Sequence, residues 1–307
     1  DESKSQASME DIDEKKLLGF IRKRSPQAET EGKGIPELLL SMNLAQRNGE
    51  LWLNNAAALF FSKEPPRFVP QSEVKLARFF GREAVDIIDS RFVNSTILEN
   101  LKEAENFIKK NTKTAFKVRE KLEREEIPEY PYEVTREALV NALTHRDYFS
   151  RDAVQINIFG NRLEIINPGT LPPGLTMKVL GGVSVQRNPL TYKLMRDIGL
   201  IEGLATGIPK MRSGMKKAGL PEPNFEELGS FFRVTLYNNA TEETGMHGNR
   251  QKRAIAYLEK NPSINSKTYS KLAGISHPIA VSDLNDLVKK GILSKIGKTR
   301  GAYYTKK

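Results

Sequence analysis

Residues 137–148 constrain the fold of this chain most, because polar groups able to do chemistry recur there at helical spacing. At ~100° per residue, Glu137, Asn141 and His145 fall within about 80° of arc on one side of a helix. The opposite side is apolar and consists of Ala138, Leu139, Ala142 and Leu143. The pattern predicts a helix with one face in the core and one face that offers chemistry.

Glu137 and Asn141 stand one helical turn apart on the polar face. A carboxylate there can act as a base towards a water molecule, and a carboxamide oxygen is a ligand for a hard cation such as Mg²⁺. The pair can therefore hold a metal-bound triphosphate together with its attacking water. The alternative is a solvated helix face, on which Glu137 forms an ion pair with Arg136 or with a lysine elsewhere.

The segments that follow this helix supply context. Residues 154–158 and 163–165 alternate at period two around a Gly-Asn pair, which predicts a β-hairpin. The second strand then runs into Asn-Pro-Gly at 167–169, where proline and glycine enforce a turn.

A glycine-spaced loop comes further along the chain. After Arg-Asn-Pro at 187–189, the apolar spacing predicts a helix, and Gly203 and Gly207 then space a loop that leads into a second helix. The first N–H groups of such a helix lack partners, and the helix dipole favours negative charge. A triphosphate would fit at this helix start.

Four motifs in this order resemble a known family. They are E-A-L-V-N-A-L-T-H-R-D-Y, R-L-E-I-I-N-P-G-T-L-P-P-G-L-T, R-N-P and A-T-G-I-P-K-M. They are similar to those of the Schlafen AlbA/RecG-like ATP-binding proteins, a family with a divergent Bergerat-type ATPase fold related to gyrase, the heat-shock chaperone, histidine kinases and mismatch-repair proteins. The resemblance covers residues 10–240 approximately.

The resemblance implies ATP and Mg²⁺ as ligands and a role for each matching residue. Glu137 matches the acidic residue that activates water, and Asn141 matches the magnesium ligand. The implied nucleotide contacts are Asn141, Asn167, Gly169, Gly203, Thr206 and Gly207.

Two residues depart from the family pattern. Asn167 stands where better-known relatives read the adenine amine with an aspartate, and Ala205 replaces a glycine of the phosphate loop. Asn167 can still accept a hydrogen bond from the amine, but its own NH2 group must find another acceptor. The chain has no G-x-x-x-x-G-K-[ST] loop, so a helicase motor is excluded.

Composition limits the remaining possibilities. A length of 307 residues with 38% hydrophobic content predicts two or three globular domains. The absence of cysteine excludes disulfides, and three histidines without an H-E-x-x-H motif do not favour a zinc site. No apolar run approaches the ~20 residues of a membrane span, so we expect a soluble, cytoplasmic protein with no membrane partner.

We predict an α+β protein in four parts. A winged-helix-like unit occupies 1–70, with helices at 9–24 and 35–45, and an α/β sandwich of Bergerat ATPase type occupies 71–238. Strands at 73–80 and 84–88 and a helix from the Thr96 capping box to about residue 126 are expected in that sandwich. A linker at 239–249 precedes a winged helix-turn-helix domain at 250–307. In the resembling family, an AlbA-type domain precedes the first unit, and we do not expect that domain within this sequence.

The positive charge is concentrated in the last of these parts. Residues 250–307 contain 13 lysines and arginines against three acidic residues, a net charge of +10, which equals the net charge of the whole chain. Their pattern of three helices and a strand pair is typical of a winged helix, whose third helix enters the major groove of double-stranded DNA. Winged helices also serve as protein docks, so this alternative stays open.

Eight residues are the DNA-binding candidates. Those expected to read bases are His277, Ser282 and Asn285. Those expected to neutralise phosphates are Lys267, Lys289, Lys295, Lys298 and Arg300.

The sequence therefore predicts a DNA-binding transcriptional regulator whose central domain binds ATP and modulates the winged helix. Residues 181–188 are the expected lid over the nucleotide, and a homodimer on a palindromic site is the expected assembly. Weak ATPase activity is compatible with this prediction. Two alternatives are a DNA-stimulated ATPase whose turnover is the function, and an adaptor whose nucleotide site has decayed.

Overall fold

The computed structural model describes residues 1–25, 33–118, 124–203, 205–238, 246–289, 291–297 and 302–306. The chain divides into two compact units. Unit 1 comprises Asp1–Arg78, Ile88–Ile158 and Arg162–Asn238; unit 2 comprises Phe79–Ile87, Phe159–Asn161 and Asn239–Lys307. The mixture of helices and sheets confirms the predicted α+β class. In the parts of the chain just given, no helix is both long and apolar enough to cross a membrane.

The N-terminal part of unit 1 is helical with one hairpin. Its elements are α1 (Glu14–Arg24), α2 (Ile35–Ser41), β1 (Ala45–Asn48), β2 (Glu50–Leu53), α3 (Asn55–Phe61) and α4 (Pro65–Phe68). The predicted helix at 9–24 is wrong at its start, because a 3-10 turn precedes α1 and Asp13 then caps α1 by accepting from Lys15 N at 3.0 Å. The predicted helix at 35–45 ends early, since Asn43 adopts a left-handed φ of 62°.

The remainder of unit 1 carries its main sheet. The elements in chain order are β3 (Val74–Phe79), β4 (Ile87–Val93), α5 (Ile97–Asn111), β5 (Thr114–Val118), β6 (Arg124–Pro128), α6 (Tyr132–His145), β7 (Val154–Ile158), β8 (Arg162–Pro168), α7 (Pro189–Asp197), α8 (Gly207–Lys217), β9 (Asn224–Leu228) and β10 (Phe231–Tyr237). Six strands form a sheet in the order β4-β3-β7-β8-β10-β9. Strands β3 and β7 are parallel, and β7, β8, β10 and β9 pair antiparallel along the sheet. The predicted hairpin is β7 and β8; the predicted strand at 84–88 begins only at Ile87 and continues to Val93.

Helix α5 is shorter than predicted. Thr96 and Glu99 form the expected capping box at its start. The expectation that it reaches residue 126 is wrong, because Thr112 is already extended and β5 and β6 follow as a hairpin. Threonine at 112 and 114 and valine at 118 are β-branched, which favours a strand over a helix.

The core of unit 1 lies between the main sheet and its helices. Ile156, Ile165 and Val234 occupy paired positions on neighbouring strands and are buried. Helix α6 contacts α5, α7, α8 and β8. All four residues of its predicted apolar side are buried, and burial of Leu139 and Leu143 stabilises the packing by roughly 1.5–3 kcal/mol each.

Unit 2 has its own core and sheet. Its elements are α9 (Met246–Lys260), β11 (Ile264–Asn265), α10 (Ser266–Ala273), α11 (His277–Lys289), β12 (Leu293–Ile296) and β13 (Tyr303–Lys306), with strand order β11-β13-β12. The three helices and the strand pair follow in the predicted order, whereas β11 was not predicted. Tyr269 OH donates to buried Asp283 Oδ2 at 3.0 Å. One of the three acidic residues of segment 250–307 therefore lies in the core. Residues 239–245 of the predicted linker lie outside the described residues, and its residues 246–249 belong to helix α9 instead.

Candidate functional site

Helix α6 presents its polar face to a cavity of about 800 Å³ in unit 1. Glu137, Asn141 and His145 all line this cavity. Asn141 Nδ2 donates to Glu137 Oε1 at 2.9 Å, which leaves Asn141 Oδ1 as the atom available to a cation. Arg136, the neighbour considered as a partner for Glu137, instead lies 3.7 Å from Glu105. The helix therefore holds a carboxylate and a carboxamide together in a cavity.

The start of α8 lies directly against Glu137. A Cβ added to Gly207 would stand only 2.0 Å from Glu137 Oε1, so only glycine fits at this position without moving the carboxylate. Burial raises the pKa of Glu137, and the nearby carboxylate of Glu202 acts in the same sense, while the hydrogen bond from Asn141 and the charge of Lys210 oppose it. A raised pKa makes the Glu137 carboxylate a stronger base.

The predicted phosphate loop leads into α8 at the cavity wall. Gly203, Ala205, Thr206 and Gly207 all line the cavity, and Leu204 lies outside the described residues. Gly203 and Ala205 both have positive φ, 83° and 54°, although only the first is glycine. Thr206 precedes α8 without a side-chain cap; its hydroxyl instead bonds Glu202 at 3.3 Å.

Proline limits the anion-binding capacity of this helix start. Pro209 occupies the first turn of α8 and has no N–H group. Gly207 and Ile208 are therefore the first-turn residues whose amides can face an anion. The anion site expected at this helix start therefore has two backbone amides as its first-turn donors.

Asn167 and Gly169 line the cavity from the end of β8. Asn167 is paired with Phe232 in the sheet and is buried at 7% exposure, yet its Oδ1 has no hydrogen-bond partner among the described residues. An unpartnered buried acceptor is costly, roughly 1–3 kcal/mol, unless a ligand supplies its donor. Gly169 has a φ of 106°, and an added Cβ would lie 2.0 Å from Arg187 Nη1. Glycine is required at 169 on both counts.

His145 lines the same cavity one turn beyond Asn141. Its Nδ1 atom is buried and has no hydrogen-bond partner in the described part of the chain. Burial lowers the pKa of His145 to about 4, and the charge of Arg187 acts in the same direction. The imidazole is therefore neutral at pH 7. Sequence reasoning placed His145 on the polar face but assigned it no role.

The Arg-Asn-Pro motif has a structural role that sequence reasoning missed. Asn188 is buried, and its Nδ2 donates to Thr144 O and Arg146 O, both at 2.8 Å, at the end of α6. Arg187 bonds Thr170 O and lies 3.6 Å from Asp147. Asn188 thus holds the end of segment 170–188, which contains the expected lid, against the end of α6, and Arg187 links it to Thr170 and Asp147.

The predicted DNA-binding residues are spread over unit 2. Exposed members are Lys267, His277, Ser282, Lys289 and Lys295. The His277 ring nitrogen Nε2 is 2.9 Å from Ser266 Oγ, and Asn285 Oδ1 accepts from Tyr304 OH at 3.1 Å and from Lys295 Nζ at 3.4 Å. Lys298 and Arg300 lie outside the described residues. The described metal-ligating side chains form no cluster of three or more in either unit.

Comparison with known proteins gives one family match and a structural likeness. Residues 152–236 match the model of the putative ATP-dependent DNA helicase recG C-terminal family. The match includes Asn167, Gly169 and the predicted phosphate loop, but α6 with Glu137 and Asn141 precedes it. No curated protein matches.

The fold is similar to that of the DIP2311 protein from Corynebacterium diphtheriae, with a TM-score of 0.64 and 20% identity over 99% of this chain. This chain spans 63% of that protein's length. At this identity the likeness extends to the fold alone.

Proposed function

We propose that unit 1 binds ATP with Mg²⁺ and that the basic C-terminal segment binds double-stranded DNA, so that the protein is a transcriptional regulator switched by nucleotide. The observation that carries the nucleotide part is Asn167, which lines the cavity that also holds the Glu137 and Asn141 pair and whose buried Oδ1 has no hydrogen-bond partner among the described residues. Such an acceptor suits the exocyclic amine of adenine.

The cavity suits a nucleotide in volume and in the placement of its polar groups. About 800 Å³ lies within the range of roughly 300–1,000 Å³ that is usual for small-molecule sites. Ile165, Phe232 and Val234 provide apolar walls beside Asn167. The phosphates would reach the amides of Gly207 and Ile208. The resemblance of the four sequence motifs to ATP-binding proteins supports the same ligand.

The Glu137 and Asn141 pair also fits a magnesium ion. Because Asn141 donates its NH2 group to Glu137, its Oδ1 would bind the cation. Magnesium would neutralise charge on the phosphates. Glu137, whose pKa is raised, would accept a proton from water. Weak ATP hydrolysis is therefore part of the proposal, and DNA-stimulated turnover is its enzymatic alternative.

The DNA part rests on localised charge. The +10 net charge of residues 250–307 would steer this segment to phosphates, and one of its three acids, Asp283, is withdrawn into the core. Exposed Lys267, Lys289 and Lys295 are the proposed phosphate contacts. The order of three helices and a strand pair supports a winged helix-turn-helix. A homodimer would match a palindromic site, and sedimentation with and without ATP and DNA would test it.

Calorimetric titration with MgATP tests the nucleotide part. We expect micromolar binding that is lost in Asn141→Ala and retained in Asn48→Ala, a matched change at an exposed hairpin residue. A shift in affinity when a DNA duplex is present would show that the two sites are coupled, and coupling requires ATP to bind two states unequally. Absence of heat in every titration would contradict the proposal and favour the adaptor with a decayed site.

A further inference from the structure

The group at position 167 is a carboxamide, and this chemistry bears on which nucleotides the cavity accepts. A carboxylate only accepts hydrogen bonds, whereas a carboxamide carries an acceptor and a donor group of nearly the same shape. Rotation by half a turn exchanges the two. The buried Oδ1 position of Asn167 has no partner among the described residues that would fix one orientation. Asn167 can therefore present either an oxygen or an NH2 group to a ligand.

His145 adds a second adaptable group to the same cavity. Its buried Nδ1 also lacks a partner within the described chain. A neutral imidazole carries its proton on either nitrogen, so Nδ1 donates in one tautomer and accepts in the other. The two polar atoms of Asn167 and His145, which have no partner among the described residues, can thus each adapt to a donor or to an acceptor.

Adenine and guanine differ in whether the group at position 6 donates or accepts a hydrogen bond. Adenine presents an amine donor at position 6, and guanine presents a carbonyl acceptor there. The apolar walls formed by Ile165, Phe232 and Val234 would contact the ring faces of a bound base, and such contacts discriminate weakly between rings of similar size. Discrimination must therefore come from the polar atoms, and these can serve both bases.

We propose that the cavity is a purine nucleotide site that accepts GTP as well as ATP, with Asn167 as the residue that sets this breadth. The inference rests on the proposed nucleotide function. With ATP, Asn167 accepts from the amine at position 6. With GTP, the rotated carboxamide donates to the carbonyl oxygen at the same place.

Calorimetric titrations of the full chain with magnesium and ATP, GTP, ITP or CTP test the inference. ITP carries the carbonyl of guanine without its 2-amine, so it isolates the reading of position 6. We expect ATP, GTP and ITP to bind within about tenfold of one another and CTP to bind more weakly. Asn167→Asp, an acceptor-only residue, should keep ATP affinity and lower GTP and ITP affinity by about tenfold or more, because two oxygens would face each other. Asn48→Asp makes the same change at an exposed site and should alter none of these affinities.

Each of the remaining outcomes of these titrations contradicts one specific part of the proposal. Tight ATP binding with GTP and ITP weaker by more than about 100-fold would overturn the breadth while leaving the ATP site intact. Equal affinity of folded Asn167→Asp for all purines, or equal loss of all, would show that Asn167 does not set selectivity. No binding of any nucleotide would overturn the proposed function itself. Circular dichroism and thermal melting separate these results from misfolding.

Discussion

Gly207→Ala is the change that most sharply tests how α8 confines the Glu137 carboxylate. The new Cβ would lie 2.0 Å from Glu137 Oε1 and 3.4 Å from Asn141 Nδ2. To restore an ordinary contact of 3.4 Å, the carboxylate oxygen must move by about 1.4 Å. That movement breaks the 2.9 Å hydrogen bond between Asn141 and Glu137.

We expect Gly207→Ala to change the free energy of unfolding little, because two effects offset each other. Loss of the hydrogen bond destabilises by about 1 kcal/mol, and alanine in place of a helical glycine stabilises by roughly 0.5–1 kcal/mol. The site responds more strongly. Loss of about 1 kcal/mol in orienting Asn141 lowers MgATP affinity by about fivefold, and a shift of about 1 Å in the base lowers any hydrolysis by about 100-fold.

Gly214→Ala provides a matched contrast on the same helix. Its Cβ would lie 2.5 Å from Val134 Cγ2, a stiff β-branched side chain between α6 and α8. Overpacking of this kind destabilises by about 1–3 kcal/mol, and the roughly 0.5–1 kcal/mol that alanine gains over glycine within a helix offsets only part of that loss. The hydrogen bond between Glu137 and Asn141 stays in place. Urea denaturation and MgATP calorimetry should therefore separate the variants: Gly207→Ala loses affinity, and Gly214→Ala loses stability.

The opposite pattern would refute the reasoning. If Gly207→Ala retains wild-type MgATP affinity and turnover, the start of α8 does not position Glu137. If Gly214→Ala loses affinity in proportion to Gly207→Ala, the loss reflects helix packing in general rather than the carboxylate.

Three further predictions concern separate features. Ala205→Gly should raise the free energy of unfolding by about 1 kcal/mol in urea, because a φ of 54° strains alanine and not glycine; no gain would contradict a left-handed residue there. As pH falls from 6.5 to about 4, the unfolded chain protonates at His145 before the native state does, so the free energy of unfolding should fall across this window. An NMR titration of His145 with a midpoint near 6.5 would refute the burial of its ring. Lys267→Ala should weaken DNA binding for all sequences and reduce the salt slope by about 1, whereas exposed Lys109→Ala in unit 1 should leave both unchanged.

Patterns within one element could be predicted from the sequence. The 3.6-residue period of α6 placed Ala138 and Leu143 in the core and Glu137 and Asn141 in the cavity. The period-two alternation predicted the β7 and β8 hairpin, and the Thr96 capping box predicted the start of α5. In each case, the physical cause acts between residues a few positions apart.

Features that depend on distant partners escaped prediction. Asn188 bonds Thr144 and Arg146, which lie 44 and 42 residues earlier, so no local pattern could reveal its role. The requirement for glycine at 169 follows from the Arg187 side chain as well as from the turn. The end of α5 was misjudged because charged residues of high helix propensity follow it, and strand pairing of β5 with β6 outweighs that propensity.

The two ends of segment 170–188 are held together, so the segment can be replaced as a unit. Arg187 lies on Gly169 and bonds Thr170, so the two ends of the segment meet, while Leu175 and Val183 within it line the cavity. Doubling the length of such a loop costs only about 0.6 kcal/mol. Insertions or replacements near its tip can therefore reshape one wall of the cavity and leave α6 undisturbed. Libraries that recode this wall offer a route to new ligands on an unchanged scaffold.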